Sequence, residues 1–332
     1  MYRVGLIVPS SNVTMETEIP QLLHRHADGY GTRWTFHSSR ARLHTVDVKS
    51  LACMVDDGER CAAELGDADI DVVAYACLVA LMAAGAGAHV TTEKRLHEVL
   101  SQGGSTSVPV VSSAGALVRT LDSLGFERVA VIAPYMPNLT RLVIDCMENS
   151  GITVVDNISL SVADNRAVGR LDPAALSGHA SRLDLRSADA IVLSACVQMP
   201  SLPAVQRVQD ETGLPVVTAA TSTTREILLA LGLEPIVPDA GAALGPPSFR
   251  TEEPALPSCV GRKAACLRSV IAGSPPHRED LTAHTAQWYV APNSNRFPAL
   301  PKSGRALARL CKLLDKPRAK RPFVKRAHLR MG

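Results

Sequence analysis

None of the eight cysteines in this 332-residue chain forms a Cys-x-x-Cys pair, and no cluster of Cys and His has zinc-site spacing. The ten histidines are scattered. His24 and His26, two residues apart, would point to different faces of a helix. Gly85-Ala-Gly87 falls short of the full glycine fingerprint of a dinucleotide site and follows Cys77 too closely to resemble it. Neither a metal nor a nucleotide cofactor is expected. The opening segment has only a short apolar run after Arg3, with no signal-peptide core of the usual length and no cleavage site. Free thiols in a reducing, cytoplasmic compartment follow as the expectation. Residues 72–88 hold 17 positions without a charge, but Ala and Gly dominate them. That run is shorter than the ~20 apolar residues of a spanning helix. It reads as a buried strand followed by a small-residue loop and a helix, with no membrane partner.

Net charge is also small, at +3 from 35 Lys+Arg and 32 Asp+Glu, which at first excludes a polyanion-seeking protein. The total hides a division. Residues 1–244 carry 18 basic and 27 acidic side chains, a net of −9, whereas residues 245–332 carry 17 and 5, a net of +12, and hold 11 of the 22 prolines. An acidic body therefore precedes a basic, Pro-rich tail, and each part needs its own reading. Hydrophobic residues make up 46% of the chain, enough for a sizeable core, so global disorder is excluded.

What the body does contain is an internal repeat. Arg3-Val-Gly-Leu-Ile-Val-Pro9 recurs as Arg128-Val-Ala-Val-Ile-Ala-Pro134, each a buried strand stopped by proline. Polar turns follow, Asn12-Val-Thr14 and Asn138-Leu-Thr140, in which Thr14 and Thr140 are candidate helix N-caps. Glu16 and Glu18 favour the positive end of the helix after the first turn. Asp71-Val-Val-Ala-Tyr-Ala-Cys77 matches Asp189-Ala-Ile-Val-Leu-Ser-Ala-Cys196 with one residue of slack. Pro109-Val-Val111 and Pro215-Val-Val217 complete the series, with Arg119 and Arg225 each ten residues after their proline. Helical patterns lie between, at Leu51–Leu65, Lys94–Leu100 and Pro173–Leu183. Strands alternating with helices imply an α/β fold of two pseudo-symmetric parallel-sheet lobes. Ligands bind such sheets beyond the C-terminal strand ends. The candidate site therefore draws Pro9–Asn12 and Cys77–Val79 from one lobe, Pro134–Tyr135 and Cys196–Gln198 from the other.

A single buried cysteine is ordinarily a packing residue. Two thiols at corresponding strand ends are different, because packing has no reason to repeat the placement and chemistry on two faces of a small molecule does. Cys53, Cys61 and Cys146 lie within helical patterns and are expected to pack. Asn12 and Asn165 suit loop turns as well as ligand contacts. Tyr135 can pack its ring while its hydroxyl faces the cleft.

These residues carry a resemblance. Val8-Pro-Ser-Ser-Asn12, Tyr75-Ala-Cys-Leu-Val79, Ala133-Pro-Tyr135, Asp164-Asn165 with Ala167–Leu171, and Leu193-Ser-Ala-Cys-Val-Gln-Met-Pro-Ser201 resemble the maleate isomerase family of the aspartate/glutamate racemase superfamily, from Arg3 to about Leu244. Racemases usually show Cys-Asn-Thr where this chain has Cys77-Leu-Val, and arylmalonate decarboxylase keeps only one thiol. The resemblance implies cofactor-independent conversion of maleate to fumarate. Cys77 is then the nucleophile, lowered toward a thiolate, that forms a succinyl-cysteine, and Cys196 is a protonated donor on the opposite side. It assigns substrate contacts to Asn12, Cys77, Leu78, Val79, Tyr135, Asn165, Val197 and Gln198, so that a small dianion is held by neutral donors. It also implies a homodimer, and lobes of residues 1–112 with about 220–244 and of 113–219, crossing near Ser113 and Ala220. The alternatives are a racemase or decarboxylase of a small diacid on the same scaffold, or a non-catalytic small-acid-binding protein. The tail, 245–332, has no counterpart in the family. Its composition predicts disorder, and its basic run reads as a solvated segment rather than a nucleic-acid site.

Overall fold

The computed structural model describes residues 1–43, 45–85, 87–102 and 108–246. All of them fall within one compact unit, Met1–Cys259. The expectations for the tail lie outside the described residues from 247 onward.

Two four-stranded parallel sheets are built in the same order. The first contains β1 (Tyr2–Pro9), β2 (Trp34–Ala41), β3 (Val72–Tyr75) and β4 (Val110–Ser112), arranged β2-β1-β3-β4. The second contains β5 (Arg128–Ala133), β6 (Thr153–Ser159), β7 (Ala190–Ser194) and β8 (Val216–Thr218), arranged β6-β5-β7-β8. The sequence repeat is repeated in hydrogen bonds. The Arg3 N–H donates to Asp71 Oδ2 at 2.6 Å and the Arg128 N–H to Asp189 Oδ2 at 2.8 Å, so each pair clasps the starts of its two central strands. From Val4 to Val8 β1 is buried throughout, as are β3, β7 and all of β5 after Arg128. Each fully buried Val, Leu or Ile contributes about 1.5–3 kcal/mol. The edge strands β2 and β6 are partly exposed.

Helices supply the crossovers. In the first half these are α1 (Met15–Tyr30), α2 (Val48–Gly66), α3 (Leu78–Ala83), α4 (Ala88–Gln102) and α5 (Ser113–Leu124). In the second they are α6 (Pro137–Asn149), α7 (Asn165–Val168), α8 (Ala175–Ala180), α9 (Leu202–Thr212) and α10 (Ala219–Ala230). Side chains at the strand ends cap α5 and α10: Ser112 accepts from the Gly115 N–H and Thr218 from the Thr221 N–H, both at 3.1 Å. The two helices pack on each other, and α10 also packs against α1, β3 and β4 of the first half.

Several local expectations are corrected. Thr140 does not cap α6, because Pro137 starts that helix one turn earlier, as proline at the first helical position does. Its hydroxyl instead accepts from Ser159 Oγ at 2.8 Å. The Thr14 side chain makes no cap for α1 either, because Asn12 does so. Cys61 and Cys146 are buried, but Cys53 lies on the exposed face of α2. Within residues 72–88, β3 and α3 follow one another as Val72–Tyr75 and Leu78–Ala83, and α4 begins at Ala88. Among the described residues no helix is long and apolar enough to cross a membrane.

Candidate active site

The two thiols stand at matching sheet edges. Beyond β3 the Ala76 N–H donates to Ile7 O of β1 at 2.8 Å, and beyond β7 the Ala195 N–H donates to Ile132 O of β5 at 3.0 Å. Each chain then delivers its cysteine past the C-terminal end of the central strands. Both sulfurs line one pocket of about 290 Å³, its mouth included. Asn12, Leu78 and Val79 line it from the first half, and Tyr135, Asn165, Val197 and Gln198 from the second, so all the expected site residues meet there. Pro9 joins them, with Leu43 and Val46 from the loop after β2. No Lys, Arg, Asp or Glu is among the lining residues.

The repeat breaks at the cysteines. Two residues separate β3 from α3, and this short link forces Cys77 into the left-handed region at φ 82°, ψ 72°. Such a conformation costs a non-glycine residue about 1–3 kcal/mol and is commonly stored at functional sites. Cys196 has no positive φ and is followed by a turn whose Gln198 N–H donates to its Sγ at 3.4 Å.

Asn12 is 1% exposed and does two things. Its Oδ1 accepts from the Thr14 and Met15 N–H groups, both at 3.0 Å, and so fixes the entry to α1. That assignment directs Nδ2 the other way, where it is buried with no hydrogen-bond partner in the protein. A buried amide left with two unmade bonds costs about 1–3 kcal/mol, unless a ligand accepts them. Arg40 braces the same loop from outside the pocket, donating to Ser10 O at 2.9 Å and Asn12 O at 3.0 Å while pairing with Glu16.

Gln198 lines the pocket, but its side chain is occupied. Its Oε1 accepts from the Val13 N–H at 2.9 Å and the Thr14 N–H at 3.4 Å. Its Nε2 donates to Ser11 O at 3.1 Å and Asn165 O at 2.9 Å. The amide thus spends both donors and both lone pairs tying the first-half loop 11–14 to α7. Gly169 permits this approach, since a Cβ there would stand 2.6 Å from Gln198 Nε2. Asn165 donates from Nδ2 to Ser11 Oγ at 2.8 Å, a second link between the same loops. The Tyr135 hydroxyl donates to Ala195 O at 3.2 Å and also faces Cys196.

Burial controls the thiols. It pushes Cys77 up to about 12, against the opposing pull of the Ala80 N–H. Burial raises Cys196 as well, opposed chiefly by the Tyr135 hydroxyl and then by the Gln198 and Met199 N–H groups. The expectation of a Cys77 lowered toward a thiolate is therefore corrected: among the described residues no Lys or Arg lines its pocket, and desolvation of the charged form dominates. A thiolate at Cys196 adds to this by disfavouring ionisation of Cys77.

Comparison with known proteins agrees with this geometry. The model of the arylmalonate decarboxylase family matches residues 4–244. Maleate isomerase of Geobacillus stearothermophilus is 52% identical over 244 residues, covering 73% of this chain and 97% of that protein. A maleate isomerase variant from Pseudomonas putida S16, solved with maleate, is 47% identical with a TM-score of 0.72, over 73% of this chain and 97% of that one. A cysteine-to-serine variant of the Nocardia farcinica maleate cis-trans isomerase, solved with a covalently bound succinylcysteine intermediate, is 47% identical with a TM-score of 0.70, over 73% and 98%. On these grounds the chain belongs to the maleate isomerases, within the arylmalonate decarboxylase family.

Proposed function

We propose that this protein converts maleate to fumarate through a covalent cysteine adduct, with Cys77 as nucleophile and Cys196 as the proton-transfer group. The observation that carries the reading is the meeting of both thiols in one uncharged pocket. The relative solved with a succinylcysteine adduct, in which one cysteine had become serine, supports it, since addition needs only one sulfur.

The thiol pair enters the reaction with one proton between its members. Cys77 is the unprotonated member: its thiolate forms a C–S bond to one alkene carbon while Cys196 holds the proton. The π electrons move to the adjacent carbon and its carboxylate, giving an enediolate, and Cys196 protonates that carbon. The former double bond is now single and rotates. Cys196 then takes the proton back, the C–S bond breaks with its electron pair returning to sulfur, and fumarate leaves. The Asn12 Nδ2 group supplies two donors for a substrate carboxylate, and the leading N–H groups of α3 at Leu78 and Val79 add more. Neutral donors fixed in a dry site also stabilise the charge that develops on the enediolate. Asn165, Tyr135 and Val197 complete the walls around the substrate, whereas the Gln198 amide holds the walls together. The proposal includes a homodimer in a cytoplasmic setting, and light scattering on the purified chain tests the dimer.

Proton NMR of maleate incubated with the protein tests the reaction. Fumarate should accumulate with wild type, vanish with Cys77→Ala and fall steeply with Cys196→Ala. Full activity of Cys77→Ala overturns the mechanism. Racemisation of aspartate or glutamate under the same conditions, without fumarate formation, would point to a racemase instead.

A further inference from the structure

Glu18 was expected to serve the positive end of its own helix, α1. It reaches across to the second half instead. The side chain is buried, at 5% exposure. Its Oε1 accepts from the Ser201 N–H at 2.6 Å and the Leu202 N–H at 2.7 Å, and its Oε2 from Ser201 Oγ at 3.2 Å. These N–H groups open α9, the helix that follows Cys196. Three converging donors suit a carboxylate, which only accepts. Burial is the larger influence and raises its carboxyl above the usual carboxylate range, with the same three donors opposing that. Among the described residues no Lys or Arg pairs with it.

The other half has nothing similar. In the sequence register that aligns Thr14 with Thr140, Glu18 falls on Ile144, and counted from the helix starts it falls on Thr140; both are buried on α6, a helix packed against α3, and neither is acidic. The first turn of α3, beside Cys77, contains no acidic residue. A buried carboxylate therefore marks one thiol of a matched pair and is missing from the other.

We propose that Glu18 is a positioning residue for proton transfer, whose carboxylate on the N-terminus of α9 strengthens the hold of Cys196 on a proton. The inference rests on the reading of Cys196 as the proton-transfer thiol. That thiol must remove a proton from carbon, and a thiolate stabilised too well is a weak base. The Tyr135 hydroxyl and the Gln198 and Met199 N–H groups face the Cys196 thiol, while the charges of Cys77 and, most weakly, Glu18 act on it without a direct contact. The first three stabilise its thiolate, and the positive end of α9 acts in the same sense. Glu18 neutralises that helix end and adds a like charge. Cys77 has to leave as a thiolate, and among the described residues no such carboxylate stands on the first turn of α3 beside it.

The test reads thiol ionisation directly and uses no substrate, so its failure is distinct from failure of the isomerase reading. Iodoacetamide alkylation of each cysteine is followed against pH by peptide mass mapping. In a Cys77→Ala background, Glu18→Gln should lower the alkylation midpoint of Cys196 by about one pH unit, roughly tenfold more thiolate at a given pH. Glu18→Asp keeps the charge and should leave the midpoint within about twofold of its parent on that scale. In a Cys196→Ala background, Glu18→Gln should leave Cys77 unchanged. An unmoved Cys196, or equal shifts from Gln and Asp, overturns the proposal.

Discussion

The left-handed backbone of Cys77 gives a stability prediction that uses the repeat as its own control. Replacing Cys77 by Gly and by Ala removes the sulfur in both cases, and the two variants differ by one methyl group, by glycine's greater unfolded-state freedom and by backbone strain. The same pair of replacements at Cys196, where φ is not positive, carries the first two differences without the third. Subtracting one comparison from the other isolates the cost of holding an L-residue at φ 82°. That cost is about 1–2 kcal/mol. In a domain of this size one kcal/mol moves the melting temperature by about 2–4 °C. The Gly-minus-Ala difference in melting temperature at position 77 should therefore exceed that at 196 by at least about 2 °C. Four variants and circular-dichroism melts at pH 7 suffice. Equal differences at the two positions would refute the idea that the β3–α3 link stores strain beneath the nucleophile.

Other predictions address the chemistry. Asn12→Asp keeps the acceptor for Thr14 and Met15 but replaces the two free donors with charge, so kcat/KM for maleate should fall about 100-fold or more with little loss of melting temperature. Steady-state kinetics beside a thermal melt checks this, and a drop below tenfold would remove Asn12 from substrate binding. Gly169→Ala forces a Cβ to within 2.6 Å of Gln198 Nε2 and should cost about 1–3 kcal/mol. In denaturant melts the double variant with Gln198→Ala should be less destabilised than the sum of the two single variants, because the clash is then gone. The raised thiols give pH dependence a definite sign. kcat/KM should climb as pH rises from 6 toward 9, since the attacking species forms only on deprotonation, and a flat profile argues against thiolate attack. The folded protein retains protons on Cys77 that an unfolded thiol releases near pH 9.0. The stabilisation from Cys77 is therefore complete below that pH and is lost as pH rises toward about 12. Cys77→Ala should accordingly lose less stability than wild type between pH 9 and 11 in urea titrations.

What could be read from the sequence, and what could not, follows from burial. The central strands β1, β3, β5 and β7 are apolar on both faces and announce themselves. Trp34–Ala41 and Thr153–Ser159 do not, because these two edge strands keep half-buried and exposed positions along their length, unlike the short, more deeply buried edge strands β4 and β8. Leu43 and Val46 were missed with them, although the rule that ligands bind beyond strand ends would have found both once β2 was placed. The paired cysteines were legible through repetition alone. Their electrostatics were not, since desolvation depends on what surrounds the sulfur in space rather than in sequence. Glu18 and Gln198 misled for a related reason: each looks local in the chain, and each bonds partners about 185 residues away.

The clasps Arg3–Asp71 and Arg128–Asp189 have a consequence of their own. They duplicate one another at the end of each sheet remote from the thiols, while the opposite end has drifted apart residue by residue: Glu18 against Ile144, Gln198 against Val79, a contorted Cys77 against a relaxed Cys196. The molecule thus separates its anvil from its tools. Divergence or engineering can rework the tool end, where a single side chain changes the chemistry, while the twin clasps keep both anvils in register. A search for new activities on this scaffold should accordingly mutate the positions where the halves disagree and leave alone those where they match.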